Sequence, residues 1–440
     1  MKSALRLARC EVRDRIPYTY EREIWSVAGE HGPRHDRVLE SGQNVMTLSP
    51  SQISRGNPAK HDPDFCGSGR SSRSRKKMSL ARPPDHGGEI WKVSSQIGAP
   101  ILKILDFSAN VNPLGCSPLA IHAIRKALKL TALYPDNDCR QLRHAIVSHI
   151  GGIQPANVLV GNGATEIIHL FAEVFLERGD EVIIPQPAFS EYEYAACLRG
   201  ANARATYFKQ GFQLEPERLL AQVTPKTKAI FLCNPNNPTS TTSSKTEIQK
   251  IVHEAAKREV MVLLDESFID FVEDGESFSL ARVSREYENL VVLRSLTKSF
   301  GLAGLRVGYA VGHEETIGLL NSSKTTWSVN TLAQIAAVAA LGDRNHLFRS
   351  RQLVRRERAF LEESLREIGM RVTPPKANFL LAEIRVPPTA PELRDRLLRH
   401  RVLIRECTAF KGLGASFIRL AIKTRRDNSI LLKALRKELC

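Results

Sequence analysis

Between about residues 113 and 295, short unbroken apolar runs alternate with longer stretches whose apolar residues recur every three or four positions. The runs Val158–Val160, Glu181–Ile184, Ala229–Cys233, Val260–Leu264 and Leu290–Leu293 predict strands buried on both faces. The periodic stretches predict helices. One starts at Ile121–Lys129, with Ser117-Pro118 suited to its N-terminus; another runs from Gly163 through Leu176, and another over Lys245–Arg258. This alternation predicts an α/β fold built on a mostly parallel sheet. From about residue 345 the pattern changes. A long charged helix (Arg349–Ile368), a strand (Phe379–Glu383), a helix (Glu392–Arg399) and a strand (Phe417–Ile422) predict a smaller α+β domain.

Residues 1–77 follow neither pattern and end in the basic tract G-S-G-R-S-S-R-S-R-K-K. Three readings stand open for them: a disordered tail, a targeting segment, or an extension ahead of a start at Met78. Their acids, Glu21, Glu23, Glu30 and Asp36, weaken the targeting reading.

Composition narrows the function classes. No apolar run reaches the length of a membrane span, so no membrane association is expected. The 8 cysteines form no C-x-x-C pair, which speaks against a zinc ribbon or a disulfide framework and fits reduced thiols in a cytoplasmic protein. No metal site is expected. The net charge is +16, and residues 1–77 carry 15 Lys/Arg against 9 Asp/Glu, so the rest of the chain is basic too. Without aromatic platforms or finger spacing, anionic small molecules explain that charge better than nucleic acid.

The densest chemistry lies in the string from Ser295 to Tyr309, S-L-T-K-S-F-G-L-A-G-L-R-V-G-Y. A single Lys is usually a surface charge. Lys298 instead follows a buried strand among small residues, where desolvation and nearby cations make an amine nucleophilic. Ser295 and Arg306 can hold a phosphate beside it. Asp265 ends the strand Val260–Leu264, at the edge where open α/β sheets bind ligands, and there it can pair with a cationic ring nitrogen. Asn237 lies in N-P-N-N-P-T after another strand; alone that is a turn, but beside Asp265 it can present an amide to a ligand. Gly163, Ala164 and Thr165 join a strand to a helix, where backbone N–H groups and a hydroxyl can cradle phosphate.

In this order, the motifs resemble those of the fold-type I pyridoxal-phosphate enzymes, in the branch containing histidinol-phosphate aminotransferase, over about residues 85–437. The resemblance implies a seven-stranded, mostly parallel large domain over 113–325. It also implies a small domain over 326–440 and an arm over 78–112 that packs on the small domain and the active site. Lys298 is then the Schiff-base lysine of pyridoxal 5'-phosphate, Asp265 the pyridinium partner and Asn237 the ligand of the ring oxygen. Phe189, in P-Q-P-A-F-S-E-Y, is similar to the aromatic that stacks on the ring. Gly163, Ala164, Thr165, Ser295 and Arg306 match the phosphate cup. Tyr134, in Y-P-D, matches a tyrosine that reaches the neighbouring subunit's cofactor, which implies a homodimer. Arg419 and Arg405 match arginines for a substrate carboxylate and phosphate, and His86 and Asn110 are expected to face the substrate.

Within that branch the chain looks most like the threonine-phosphate decarboxylases of cobalamin biosynthesis. That likeness rests on His86-Gly87-Gly88, the segment Asp106–Gly115, W-S-V-N at Trp327–Asn330, the run Leu403–Leu413, and Phe268 where the aminotransferases usually carry Tyr. The expected reaction is decarboxylation of L-threonine O-3-phosphate, with amino transfer by a histidinol-phosphate or related aminotransferase as the alternative. A nucleic-acid-binding regulator using residues 1–77 is a third, different class. Two residues depart from the family pattern: Glu89 replaces an Asn, and Ser240 replaces the Gly usual after N-P-N-N-P-T, where Gly commonly permits positive φ or a close backbone approach.

Overall fold

The computed structural model describes residues 87–439. Its strands, in chain order, are β1 (Leu105–Asp106), β2 (Val158–Gly161), β3 (Glu181–Gln186), β4 (Asn202–Tyr207), β5 (Thr227–Cys233), β6 (Met261–Asp265), β7 (Leu290–Ser295), β8 (Gly308–Gly312), β9 (Arg371–Val372), β10 (Phe379–Glu383), β11 (Val402–Leu403), β12 (Arg405–Glu406) and β13 (Phe417–Ala421). Seven of them form one sheet in the order β2-β8-β7-β6-β5-β3-β4. All neighbours run parallel except β8, which is antiparallel to both β2 and β7.

The unbroken apolar runs follow from burial on both faces. Ile230, Leu232, Val262, Leu264, Leu290 and Val292 join one core, while Phe231, Met261, Leu263, Val291 and Leu293 join the other. The period of 2 is present, but both phases are apolar. Five predicted strands are present, each with slightly different ends. β4 and β8 were not anticipated. N-A-R-A-T-Y in β4 is a weakly apolar edge strand, and β8 hides within the glycine-rich string after Lys298.

The sheet's topology places the site. β5, β6 and β7 end in register, with Cys233 beside Asp265 and Asp265 beside Leu293. Their carboxyl ends therefore present Cys233, Asp265 and Ser295 at one edge. A second, antiparallel sheet, β12-β13-β10-β9, packs against the long helix Arg344–Glu367 through Val354, Leu361, Leu365, Leu380, Ile418 and Leu420. The segment leading into the first large helix is stitched to this part of the molecule. β1 pairs in parallel with β11, and the Ala421 N–H donates to the Phe107 carbonyl at 2.9 Å.

Ser240 resolves the departure noted in the N-P-N-N-P-T turn. It adopts φ +62, the region a Gly would occupy freely. Its hydroxyl accepts the Lys376 and Ala377 N–H groups at 3.1 and 2.9 Å, and its carbonyl accepts Lys376 N–H at 2.9 Å. The side chain, at the cost of an unfavourable backbone geometry, ties the turn to the loop that leads into β10 at Phe379. Ser240→Ala keeps the strain and strips a buried N–H of its acceptor, a loss of about 1–3 kcal/mol. Ser240→Gly loses the same bonds but relieves the strain, so it should cost less. Urea midpoints in the order wild type, Gly variant, Ala variant check this; an Ala variant as stable as wild type refutes it.

Candidate active site

The edge formed by β5–β7 opens into a pocket of about 270 Å³. Its lining includes Ala164, Thr165, Phe189, Asn237, Asp265, Ser295, Lys298, Arg306, Asn110, Arg405 and Arg419, all named from the sequence. Gly163 stands directly behind the lining, against Arg306. Two expected residues are not in this lining as described. His86 lies outside the described residues. Tyr134 is outside this chain's pocket: it is 76% exposed and stacks on Trp327 at 4.5 Å.

Lys298 sits in a single helical turn, Leu296–Ser299, that begins where β7 ends. The Ser295 hydroxyl caps it, accepting from Thr297 N–H at 3.4 Å. Burial first, then the Arg419 and Arg306 charges, pull the Lys298 ammonium down to about 8, against the opposing pull of Asp265. Asp265 is buried, with one carboxylate oxygen accepting Ser267 N–H at 2.8 Å and the other accepting the Tyr192 hydroxyl at 2.7 Å. Burial pushes its carboxyl up, while bonds from Ser267 and Tyr192 and the Lys298 charge oppose that.

Tyr192 was not assigned a role from the sequence, although it closes the quoted P-Q-P-A-F-S-E-Y segment. Phe189 and Tyr192 lie three apart, a helical spacing that puts both on one side. Tyr192 stacks on Phe231 at 5.6 Å and touches Phe189 edge-on at 5.6 Å. Burial, and next the Asp265 carboxylate, hold its phenol well above the ordinary range, so it donates and does not ionise. Phe268 offers no hydroxyl. It packs edge-on against Phe379 at 4.8 Å, with the Lys298 ammonium 5.9 Å from its ring centre.

The far wall belongs to the small sheet. Arg405 and Arg419 stand directly opposite each other on β12 and β13, and both are buried. Arg419 donates to Asn237 Oδ1 at 2.6 Å and to the Ser108 carbonyl at 2.5 Å, and its Nε meets no partner among the described residues. Burial, with Arg405 adding to it and Cys407 opposing, brings its guanidinium down to about 10. Phe410, also missed from the sequence, lies under Arg405 at 5.6 Å. Gly87 fits tightly here: a Cβ would strike the Ser108 carbonyl and lie 3.0 Å from the Arg419 guanidinium.

The residues fit a phosphorylated cationic ring. Asp265 is a buried carboxylate aimed at the pocket. At the opposite end, Gly163 opens the helix Gly163–Phe175 at φ +82, with Arg306, itself at φ +56, laid against it. A helix N-terminus with an arginine beside it is an anion site.

A family model described as aminotransferase class I and II matches residues 103–435. The chain belongs to that family. A histidinol-phosphate aminotransferase of Moorella thermoacetica is 35% identical over 367 residues, covering 83% of this chain and 92% of that protein. The crystal structure of the histidinol-phosphate aminotransferase from Clostridium acetobutylicum superposes with a TM-score of 0.70 at 30% identity, covering 76% of this chain and 99% of that one. The Sinorhizobium meliloti histidinol-phosphate aminotransferase in complex with pyridoxal-5'-phosphate shares the fold, with a TM-score of 0.73 at 22% identity over 84% of this chain and 98% of that one. This class I/II family member is a fold-type I enzyme, and its cofactor is pyridoxal 5'-phosphate.

Two predictions follow from the geometry. In Gly163→Ala the new Cβ would lie 2.7 Å from the Arg306 guanidinium at a φ of +82. The guanidinium can move, but only off the phosphate site. Cofactor affinity should fall at least about tenfold, equivalent to about 1.4 kcal/mol, as read by equilibrium dialysis; unchanged affinity removes the phosphate assignment. With Lys298 near 8, about a quarter of the amine is neutral at pH 7.5 by simple titration. Raising pH through about 8 increases the neutral fraction, so cofactor uptake by apoprotein should accelerate and then level off. A rate still climbing tenfold per pH unit near the ordinary lysine value contradicts the depressed amine.

Proposed function

We propose that this enzyme acts on a small substrate bearing an amino group and a phosphate, with Lys298 as its proton-transferring residue. The carrying observation is the opposed, buried pair Arg405 and Arg419 in the same pocket as Lys298. Opposed cross-strand residues have Cβ atoms about 5 Å apart, so their guanidiniums suit anionic groups only a few atoms apart. Bidentate geometry suits arginine to carboxylate and phosphate alike.

Amino transfer of the histidinol-phosphate type is the reading that the family and its named relatives support best. In it, Arg405 and Arg419 serve alternating substrates, one phosphorylated and one carboxylic. Decarboxylation of L-threonine O-3-phosphate is a second reading, supported by two observations. A substrate carrying both anions at once engages both arginines together. In addition, Phe268 puts an apolar ring beside Lys298, at the position where the resembled aminotransferases usually carry a tyrosine hydroxyl.

The division of labour is shared by both reactions. Pyridoxal phosphate, when bound, supplies an electron sink for the substrate's α-carbon. Asp265 would keep a proton on the ring nitrogen, with Tyr192 and Ser267 fixing the carboxylate's orientation. Phe189 would cover the ring, and Gly163, Ala164, Thr165, Ser295 and Arg306 would hold the phosphate. Arg419 would orient the carboxylate, Arg405 would grip the substrate phosphate with Asn110 nearby, and Lys298 would deliver or remove the proton at the α-carbon. Tyr134, exposed beside Leu128, Leu130 and Leu133, suits a homodimer in which it enters the other subunit's site.

The test is product identity. Cofactor-loaded protein is given O-phospho-L-threonine, with CO2 and aminopropanol phosphate measured. In parallel it is given glutamate with imidazoleacetol phosphate, with 2-oxoglutarate measured. Amino transfer without CO2 establishes the first reading, and CO2 without transfer the second. Neither product, from protein that retains cofactor, overturns the substrate class.

A further inference from the structure

The Lys298 turn has only four residues, Leu296–Ser299. A single turn cannot sustain itself, because nucleating a helix costs more than its one or two hydrogen bonds return. Its last carbonyls also lack helical partners. The precision of Lys298 must therefore come from outside the turn.

The Lys298 carbonyl meets the Gly301 N–H only at 3.4 Å, and Asn112 supplies closer donors to this end of the turn. Its backbone N–H donates to the Lys298 carbonyl at 3.0 Å. Its side-chain Nδ2 donates to the Ser299 carbonyl at 2.6 Å and to Ser350 Oγ at 2.8 Å. Its Oδ1 accepts Leu114 N–H at 2.9 Å, which fixes the amide's orientation. Ser350 in turn donates to the His346 carbonyl at 2.7 Å on the long helix.

Asp270 grips the same turn by a side chain. The Ser299 hydroxyl donates to Asp270 Oδ2 at 2.5 Å. Arg351, one residue beyond Ser350, donates to the Asp270 carbonyl at 2.5 Å, and Arg294 lies 3.9 Å from Asp270 Oδ1. Arg294 is itself held by Glu266 at 3.0 Å, the residue next to Asp265. Neither Asn112 nor Asp270 lines the pocket.

We propose that Asn112 and Asp270 are positioning residues for Lys298, forming a mount that fastens its helical turn to the long helix Arg344–Glu367 at Ser350 and Arg351. The mount explains why the Asp106–Gly115 segment carries two asparagines with different duties. Asn110 faces the pocket, and Asn112 faces away from it to hold the lysine's backbone. The same segment supplies the Ser108 carbonyl to Arg419, so it spans from the substrate arginine to the lysine. The proposal rests on Lys298 being the residue that meets the cofactor.

Three variants test it in the full-length protein: Asn112→Ala, Ser299→Ala and Ser350→Ala. Ser299→Ala removes the hydroxyl that Asp270 holds, and Ser350→Ala removes the far anchor of Asn112 together with that hydroxyl's bond to the His346 carbonyl. Each apoprotein is melted, and its cofactor uptake is followed by visible absorbance across pH. A loosened turn lets the amine leave its place among Arg419, Arg306 and Asp265. Uptake should then slow on the order of tenfold or more in Asn112→Ala. The midpoint of its pH profile should move up from about 8, toward the ordinary lysine value. Ser299→Ala and Ser350→Ala should shift the same way by less, with kcat falling and KM for the amino substrate unchanged. Lower melting temperatures with wild-type uptake and midpoint would mean ordinary packing residues and overturn the mount. If Asn112→Ala does not fold, the two serine variants decide alone by the same criteria. A wild-type protein that never takes up cofactor fails the Lys298 reading instead, which keeps the two failures distinct.

Discussion

The site keeps Arg405 and Arg419 buried and Lys298 half-buried, with a fourth cation, Arg306, exposed beside the helix that Gly163 opens. Among the described lining residues, Lys298, Arg306, Arg405 and Arg419 bring positive charge and Asp265 brings a carboxylate. Burying a charge is costly unless something compensates it. Here the amine responds by shedding part of its proton affinity, which is the change a nucleophile needs. The guanidiniums keep their charge, and that favours ligands bringing anions: a phosphate at one end of the pocket and anionic substrate groups at the other. The basic balance of the chain has a local meaning at this edge.

Each part of the fold can be understood as holding one of these charges in place. The in-register ends of β5 and β6 fix Asp265 relative to the N-P-N-N-P-T turn, and β7 delivers the Lys298 turn alongside. The small sheet sets Arg405 against Arg419. The two sheets could still drift apart, and three bridges oppose that. Ser240 ties the turn to Ala377, Arg419 reaches Asn237, and β1 binds the arm to β11. Glu357, fully buried on the long helix, is met by Arg425 at 2.8 Å and Asn428 at 3.4 Å, so the helix that underlies Lys298 is locked into the small domain as well.

The legible part of the sequence was the part where one residue type can do one job. Strands buried on both faces announce themselves as apolar runs, and the Lys298 string, Asp265 and the Asn/Pro turn are chemically specific. Nearly every residue named for the cofactor therefore reaches one pocket. What escaped was relational. Tyr192 is an ordinary core tyrosine until the sheet places Asp265 at its hydroxyl, 73 positions away. Phe410 is an apolar residue in a loop until Arg405 lies over it. β4 and β8 escaped because their patterns are set by their neighbours: an edge position for one, and a glycine-rich insertion between β2 and β7 for the other. Ser240 was legible as an anomaly but not as a solution, since its partners come from a distant loop.

The hydrogen bond between Arg419 and Asn237 bears on the choice of reaction. Asn237 and Arg419 line the same pocket, and the proposed roles give Asn237 to the cofactor ring and Arg419 to the substrate carboxylate. Because one donates to the other, the carboxylate's position and the ring's position are not independent. On the proposed roles, the bond that breaks at the α-carbon is the one held perpendicular to the ring, and this pair would bear on which bond that is. Arg419 is further pinned by the Ser108 carbonyl and crowded by Gly87, where no larger residue fits. On that proposal the arm, which holds Arg419 through Ser108, would bear on reaction choice by fixing the angle from which the carboxylate is held. Differences between decarboxylating and amino-transferring members of this fold are then expected to concentrate in the arm and around Arg419, while Lys298 and Asp265 remain common to both.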